Sequence, residues 1–274
     1  MGDTATHTTA TTAGGSAHEP HPPRGHRHRH RLGVVFGGGG AVGIAWHLGV
    51  IDALERAGLP VTDAPLIGTS AGAWACAAAR LRLGFEEFAS LGDIEVPDRR
   101  PGLLHDLATD LLGDATAVGV RISAVAIPAM RRHLLHGHEH RLADLIAASS
   151  AVPGVFSPHR IGTTTYIDGG IRSMASAQDA EPSEILVASL PIGGPLFGPV
   201  GHAMEHATRR ALARWRHHHG GTTIVLRPGR RFVEAVGHRP RALMDVELAR
   251  RVYPIAYDTA ARRLDRRLEL QFVG

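Results

Sequence analysis

The stretch "GVVFGGGGAVGIAWHLG", residues 33–49, decides the fold, because its four consecutive glycines separate a short apolar run from an amphipathic segment. The run "RLGVVF" has the composition of a buried strand. After the glycines, Ile44, Leu48 and Ile51 recur at close to helical spacing, and Gly58 is a typical stop signal. The pattern predicts a strand, a glycine loop and a helix.

A second unit, "LIGTSAGAWACAAA" at residues 66–79, repeats this layout with a serine at the turn, and its alanine-rich half favours helix. Further strands are predicted at residues 120–127, 164–168, 184–190 and 222–228. Strands that alternate with helices predict an α/β fold, with a mostly parallel central sheet covered by helices on both faces. In such a sheet, both glycine-rich turns lie beyond the carboxyl ends of the strands.

The domain organisation follows from a change in composition near residue 30. Residues 1–30 are rich in Thr, Ala, Gly, Pro and His and are predicted to form a disordered arm, and residues 31–274 are predicted to form one domain. The segment 85–119 has weak periodicity, and two interpretations stay open: a cap of short helices over a site, or a surface insertion. The histidines of the arm and of 217–219 lack rigid ligand spacing, so no metal is predicted.

Location and partners are only weakly indicated. The chain has no apolar run of membrane-spanning length and no secretion signal, and its single cysteine, Cys76, excludes an internal disulfide, so we expect a cytoplasmic protein. All 30 basic residues are arginines, and the formal net charge is +4. The segment "ARRLDRRLEL" at 261–270 fits either a solvated helix face or contact with an anionic membrane surface. No nucleic-acid partner and no oligomeric state are indicated.

Ser70 is the candidate nucleophile. It stands in the pattern G-x-S-x-G, in which Gly68 and Gly72 permit a strained strand-to-helix turn that projects the serine. The helix that follows directs its amides and its positive dipole end toward the hydroxyl. A purely structural turn is the alternative.

The glycines before the first helix have three interpretations. Gly38, Gly40 and Gly43 match the dinucleotide pattern G-x-G-x-x-G, for which Asp63 would have to be the ribose-binding acid. Amides freed of side chains could instead form an oxyanion hole for acyl transfer. Close packing of the loop on the sheet is the third interpretation. A serine turn about 30 residues downstream favours the oxyanion hole.

A serine nucleophile needs a base, and Asp168 is the candidate. The sequence "YIDGG" places this acid at the end of a predicted strand, with Gly169 and Gly170 directly after it, so that its carboxylate could approach the serine loop. An Asp before Gly is also a common turn residue. To act on a serine hydroxyl, a carboxylate of ordinary pKa must be partly desolvated and held by a short hydrogen bond to Ser70.

Four motifs in order, "GGGGAVG", "GTSAG", "SSAVPGVFSP" (149–158) and "YIDGGIRS", resemble those of the patatin-like phospholipase family. The resemblance runs from about residue 32 to 172 and more loosely to 261. It implies a patatin-like three-layer α/β fold and lipid acyl hydrolase activity on phospholipids or simpler esters, with no metal or organic cofactor.

The resemblance also implies residue roles. Ser70 would attack the ester carbonyl, Asp168 would accept its proton, and the amides around Gly38, Gly39 and Gly40 would hold the oxyanion, with an acyl-serine intermediate. Two positions depart from the family: Val42 stands where Arg or Lys is usual, and Ser176 stands where Asn is common.

Two alternatives to this dyad stay open. A Ser-Asp-His triad of the α/β-hydrolase type would use His202 or His238 as the base, because both follow Asp168 in the order that this fold uses. The chain could also be a catalytically weak lipid- or partner-binding protein on the same fold.

Overall fold

The computed structural model describes residues 1–2, 30–193, 198–237 and 240–272, and the predicted arm therefore lies almost wholly outside the described residues. The described chain forms one eight-stranded sheet with helices packed against it. Its strands are β1 (His30–Phe36), β2 (Leu66–Thr69), β3 (Val120–Ile127), β4 (Arg131–His136), β5 (His159–Ile161), β6 (Thr164–Asp168), β7 (Ser183–Ser189) and β8 (Thr222–Leu226). Its helices are α1 (Gly40–Arg56), α2 (Ala71–Leu81), α3 (Phe85–Ala89), α4 (Leu103–Leu112), α5 (Leu142–Ser150), α6 (Gly198–His219), α7 (Arg230–Val236) and α8 (Val246–Phe272).

The sheet has a parallel centre and an antiparallel end. Its order is β5-β6-β3-β2-β1-β7-β8, with β4 also paired to β3. The strands β1, β2, β3, β7 and β8 run parallel, whereas β4 and β6 pair antiparallel with β3. The predicted α/β fold with a mostly parallel sheet is confirmed. The strands β4 and β5 were not predicted, because their arginines and histidines give no apolar pattern.

Helices cover both faces of the sheet, which makes three layers. Along β1, Val34 and Phe36 point into a core shared with α1, α2, α5 and α8. Val35 points the other way, into a second core that contains Leu212 and Trp215 of α6. This alternation is the two-residue period of a strand buried on both faces. Among the described residues, no helix combines the length and apolar character needed to cross a bilayer.

The close crossing of α8 over α1 depends on a glycine. A Cβ atom built on Gly49 would lie 2.5 Å from the carbonyl oxygen of Tyr253 and 2.9 Å from the amide nitrogen of Tyr257. A hydrogen bond also joins α8 to α1 at this crossing, because the Tyr253 hydroxyl donates to the Asp52 carboxylate. The bare backbone of Gly49 therefore sets the distance between the two helices.

We expect Gly49→Ala to lower the free energy of unfolding by about 1–3 kcal/mol, because the added methyl group meets backbone atoms that cannot move without separating the helices. Denaturant unfolding measures the change. Gly193→Ala is the control, since a Cβ atom at Gly193 would make only ordinary contacts of 3.4 Å. Equal stabilities of the two variants would contradict the close crossing.

Candidate active site

The pairing of β3 brings Ser70 and Asp168 together. Residues 121–123 of β3 pair with β2 on one edge and with β4 on the other, whereas residues 124–126 pair with β4 and β6. β6 therefore takes up the edge that β2 leaves, and it runs in the opposite direction. Thr69 is paired with Ser123, and Asp168 with Ala124, the next residue of β3. The carboxyl ends of β2 and β6 thus meet, with Ser70 and Asp168 at the junction.

Ser70 occupies a strained turn between β2 and α2. Its φ of 54° and ψ of −119° lie in a region that residues with a side chain rarely adopt. The turn closes because the neighbouring glycines carry no side chains: a Cβ atom on Gly68 would lie 2.4 Å from the carbonyl oxygen of Gly72, and one on Gly72 would lie 2.1 Å from that of Phe36. The predicted tight turn at Ser70 is present.

The glycine loop lies beside this turn. β1 and β2 are neighbours in the sheet, and a Cβ atom on Gly38 would lie 3.6 Å from the Cβ of Ser70. The Gly38 amide donates to the carbonyl oxygen of Met174 at 3.2 Å. The amides of Gly39 and Gly40 donate to no acceptor among the described residues, so they are the predicted oxyanion donors that are free in this structure.

The N-termini of α1 and α2 both point toward the site. α1 begins at Gly40 and α2 at Ala71, and neither helix has an acidic residue in its first turn. Their unpaired amides and positive dipole ends favour negative charge between them. The surroundings of Ser70 therefore suit a developing oxyanion.

A buried histidine of α1, His47, forms a hydrogen bond with the backbone of the glycine loop. The Nε2 atom of His47 donates to the carbonyl oxygen of Gly37 at 2.8 Å, since a carbonyl can only accept. The Ser189 hydroxyl therefore donates to Nδ1 of His47 at 2.8 Å, and it accepts from the Trp46 indole at 3.2 Å. Burial lowers the pKa of His47 to about 4, so the ring is neutral in this network. His47 was not predicted as a site residue, although a histidine within the apolar run "GIAWHLG" is an unusual feature.

Burial dominates the electrostatics of Asp168. Its side chain is 5% exposed, and its Oδ1 atom accepts from the Gly170 amide at 2.6 Å. Desolvation raises the pKa of the carboxyl to about 6, against smaller opposing effects of the Ser70 hydroxyl and the Gly170 amide. The Oδ2 atom accepts no hydrogen bond of ordinary geometry from any described residue. The expected desolvation is therefore present. The Ser70 hydroxyl acts on this carboxyl and lowers its pKa, although no hydrogen bond of ordinary geometry joins the two side chains.

Ser70 and Asp168 lie on the wall of an apolar cavity with a volume of about 580 Å³. The segment 85–119 forms much of this wall through α3, α4 and the loop between them, so of its two interpretations the cap is the one that the structure shows. From this segment the apolar lining residues include Phe85, Phe88, Leu91, Ile94, Leu104 and Leu107. From the rest of the chain they include Ile44, Trp74, Val152, Phe156, Ile171 and Met174.

The structure separates the alternative site residues from this cavity. Asp63 lies in the turn before β2, at the sheet edge opposite the glycine loop, so it cannot bind a ribose whose phosphates lie at Gly38–Gly43. His202 is exposed on α6, which packs on the other face of the sheet from α1 and α2. His238 lies outside the described residues. No histidine lines the cavity within the part of the chain that the structure describes.

Val42 and Ser176, the two positions that depart from the family pattern, differ in backbone conformation. Val42 is fully buried in the core under α1 and does not line the cavity. Ser176 has a φ of 42°, a left-handed conformation that asparagine tolerates well, and its hydroxyl accepts from Arg132 at 3.0 Å. The valine therefore leaves the backbone of the glycine loop intact.

The raised pKa of Asp168 predicts a pH-dependent stability cost. An acid whose pKa is higher in the folded than in the unfolded state destabilises the fold once pH exceeds the unfolded value, and the cost is complete above about pH 6. It amounts to about 3 kcal/mol. We expect the stability of Asp168→Asn relative to wild type to rise by about 2 kcal/mol between about pH 4.5 and pH 7.5.

Denaturant unfolding of both proteins at the two pH values measures this difference. The titration of His47 acts in the opposite direction, but it is common to both proteins and cancels. A difference that does not change with pH would contradict the desolvation of Asp168.

A family model and several curated proteins match the sequence of this chain. A family model described as patatin-like phospholipase matches residues 130–180, which include Asp168. The curated relatives include uncharacterized NTE family proteins of Mycobacterium tuberculosis and Mycobacterium bovis, each 29% identical over 205 residues, which are 67% of this chain and 55% of the relative. The chain therefore spans about half the length of the curated relatives it matches.

Two solved structures are similar to this chain at a low level. VipD from Legionella pneumophila matches with a TM-score of 0.45 and 13% identity, over 86% of this chain and 67% of VipD. The type III effector protein ExoU matches with a TM-score of 0.41 and 15% identity, over 87% of this chain and 53% of ExoU. The family model and the NTE family relatives confirm the resemblance of this chain to the patatin-like phospholipase family.

Proposed function

We propose that this chain is a serine acyl hydrolase that acts on lipid esters through a Ser70–Asp168 dyad. The observation that carries the proposal is the meeting of a strained serine turn with a desolvated carboxylate on the wall of an apolar cavity. The relationship to the patatin-like phospholipases supports the same reaction class.

In the proposed reaction, the Oγ atom of Ser70 attacks the carbonyl carbon of the ester, and its proton passes to the carboxylate of Asp168. The carbonyl oxygen becomes an oxyanion, which the free amides of Gly39 and Gly40 would stabilise. For Gly38 to contribute, its amide would have to leave the carbonyl of Met174. The proton on Asp168 then goes to the departing alkoxide, which leaves as the alcohol, and Ser70 is acylated.

Water completes the cycle by attacking the acyl-serine, with Asp168 again accepting the proton and returning it to Ser70. The unpartnered Oδ2 atom of Asp168 is the acceptor available for both transfers. A pKa of about 6 suits this role, because the carboxyl is ionised at neutral pH yet is more basic than an exposed aspartate. No metal or organic cofactor takes part in these steps.

The cavity supports an acyl chain as the bound part of the substrate. Its wall is almost entirely apolar, and a volume of about 580 Å³ is within the range of small-molecule pockets. Two of its apolar lining residues are also exposed, Val152 at 36% and Ile171 at 46%. Exposed apolar residues at the cavity support contact with a lipid surface during substrate entry.

A lipid- or partner-binding protein without catalytic activity is the second candidate. The bond between the Gly38 amide and Met174 favours it, because this structure leaves one predicted oxyanion donor engaged. The two candidates differ in whether Ser70 is activated.

We expect a fluorophosphonate ester to label wild-type protein at Ser70 and to leave Ser70→Ala unlabelled. Asp168→Asn should react at least about 100-fold more slowly, because the general base is lost. The wild-type rate should fall as pH decreases below about 6, since only ionised Asp168 accepts the proton. Labelling kinetics and the turnover of p-nitrophenyl esters measure these effects.

Ser183→Ala is the matched control, because Ser183 is a buried serine at the start of β7 and lies outside the site. It should be labelled like wild type. A folded wild type that is neither labelled nor active would contradict the hydrolase and favour the binding protein. Undiminished labelling of Ser70→Ala would contradict the assignment of the nucleophile.

A further inference from the structure

Ser149, at the end of α5, contacts the backbone of the nucleophile turn. Its side chain is fully buried, and its hydroxyl accepts a hydrogen bond from the Ser70 amide at 2.8 Å. The same hydroxyl donates to the carbonyl oxygen of Ser123 at 2.7 Å. One side-chain oxygen therefore links α5, the nucleophile turn and β3.

This hydroxyl stands in for a hydrogen bond between β2 and β3 that the sheet does not form. The pairing of β2 with β3 ends at Thr69 and Ser123, because the chain turns away at Ser70. The Ser70 amide and the Ser123 carbonyl would then be buried without partners, which is costly. A hydroxyl satisfies both, since it can accept from one group and donate to the other.

The same end of α5 also holds the base. The carbonyl oxygen of Ala151 accepts from the Asp168 amide at 3.0 Å. Residues 149–151 therefore bind the backbone amides of both members of the dyad, and this segment supports the positions that the strand register gives them.

We infer that Ser149 is a positioning residue that holds Ser70 against Asp168. This inference rests on the proposed function. Ser149 is not among the residues that line the cavity, so its loss should leave substrate binding unchanged. Without its hydroxyl, the Ser70 turn loses its link to β3, and its Oγ atom spends less time in the reactive geometry.

We expect Ser149→Ala to lower kcat for a p-nitrophenyl ester by about 10- to 100-fold while KM changes by less than about twofold. The rate of fluorophosphonate labelling should fall in the same proportion. Measurement well below the unfolding temperature of the variant separates this effect from a loss of folded protein.

Ser183→Ala is again the matched control, because Ser183 is equally buried and donates to a backbone carbonyl, that of Glu181, at 3.1 Å. It should keep the wild-type kcat even if it loses stability. An active wild type with an unchanged kcat in Ser149→Ala would overturn this inference alone. An inactive wild type would overturn the proposed function and this inference with it.

A second, independent observation concerns Arg241. Among the described residues that line the cavity, only Asp168 and Arg241 carry formal charge. Arg241 is exposed and forms no ion pair with any described residue. Its guanidinium group is therefore available to a ligand at the cavity.

The position of Arg241 is set by the glycine loop. The residue belongs to a short 3₁₀ turn, Pro240–Met244, and the carbonyl oxygen of Leu243 in this turn would lie 2.6 Å from a Cβ atom on Gly40. The turn thus packs directly against one of the free oxyanion donors, and Arg241 lines the cavity from this turn.

We propose that Arg241 determines specificity for esters that carry a phosphate or carboxylate on their alcohol part. An arginine binds either group through paired hydrogen bonds, and the apolar wall is left for the acyl chain. The proposal rests on the proposed function and adds the chemical class of the substrate. A direct role of Arg241 at the oxyanion is the competing interpretation, and it would affect neutral and anionic esters equally.

The test compares esters with the same acyl chain in wild type and Arg241→Gln. One pair is p-nitrophenyl octanoate and the octanoate of 3-hydroxy-4-nitrobenzoate; the other is a monoacylglycerol and the corresponding acylglycerol phosphate. We expect kcat/KM to fall by about three- to tenfold for the anionic members only, and less so at high salt. A fall for only one of the two anions identifies that group as the one bound.

Arg56→Gln, an exposed arginine at the opposite end of α1, is the control and should behave like wild type. Equal losses for neutral and anionic esters in Arg241→Gln, or no loss for either, would overturn this proposal. Neither result would affect the proposed function, which depends on turnover of the neutral ester by wild type.

Discussion

The edge of β3 that β2 and β6 share is the constraint on which the site depends. β2 and β6 run toward each other along this edge of β3, so both strands end where they meet. Their carboxyl-terminal residues therefore lie next to each other. Ser70 follows the end of one strand, and Asp168 is the end of the other. The separation of the two side chains thus follows from the hydrogen-bond register of the sheet.

Close backbone packing completes this arrangement. Directly after Asp168, a Cβ atom on Gly169 would lie 2.1 Å from the carbonyl oxygen of Ser123. Only a glycine therefore fits at the position that follows β6. The glycine loop after β1 reaches Ser70 for the same reason, and His47 and Ser189 hold that loop in place. Free amides and two helix N-termini are thereby concentrated around one serine.

The same packing creates a conflict between stability and reactivity. Enclosing Asp168 raises its pKa to about 6 and leaves its Oδ2 atom without a partner, which destabilises the fold at neutral pH. The strained φ of Ser70 adds to this cost. Backbone strain and desolvated carboxylates of this kind are common at functional sites.

By itself, the sequence determined the mostly parallel α/β sheet, the turn at Ser70 and the glycine loop, because these depend on local periodicity and on residue types with special backbone freedom. It indicated Asp168 through the order of its motifs, since an Asp before Gly is locally also a common turn residue. It could not place β4 and β5, whose arginines and histidines hide their strand character. Nor could it show that 85–119 lines the cavity, or that Ser149 and His47 support the site. Those contacts join residues far apart in the chain, and only the register of β3 and the packing of helices on the sheet bring them together.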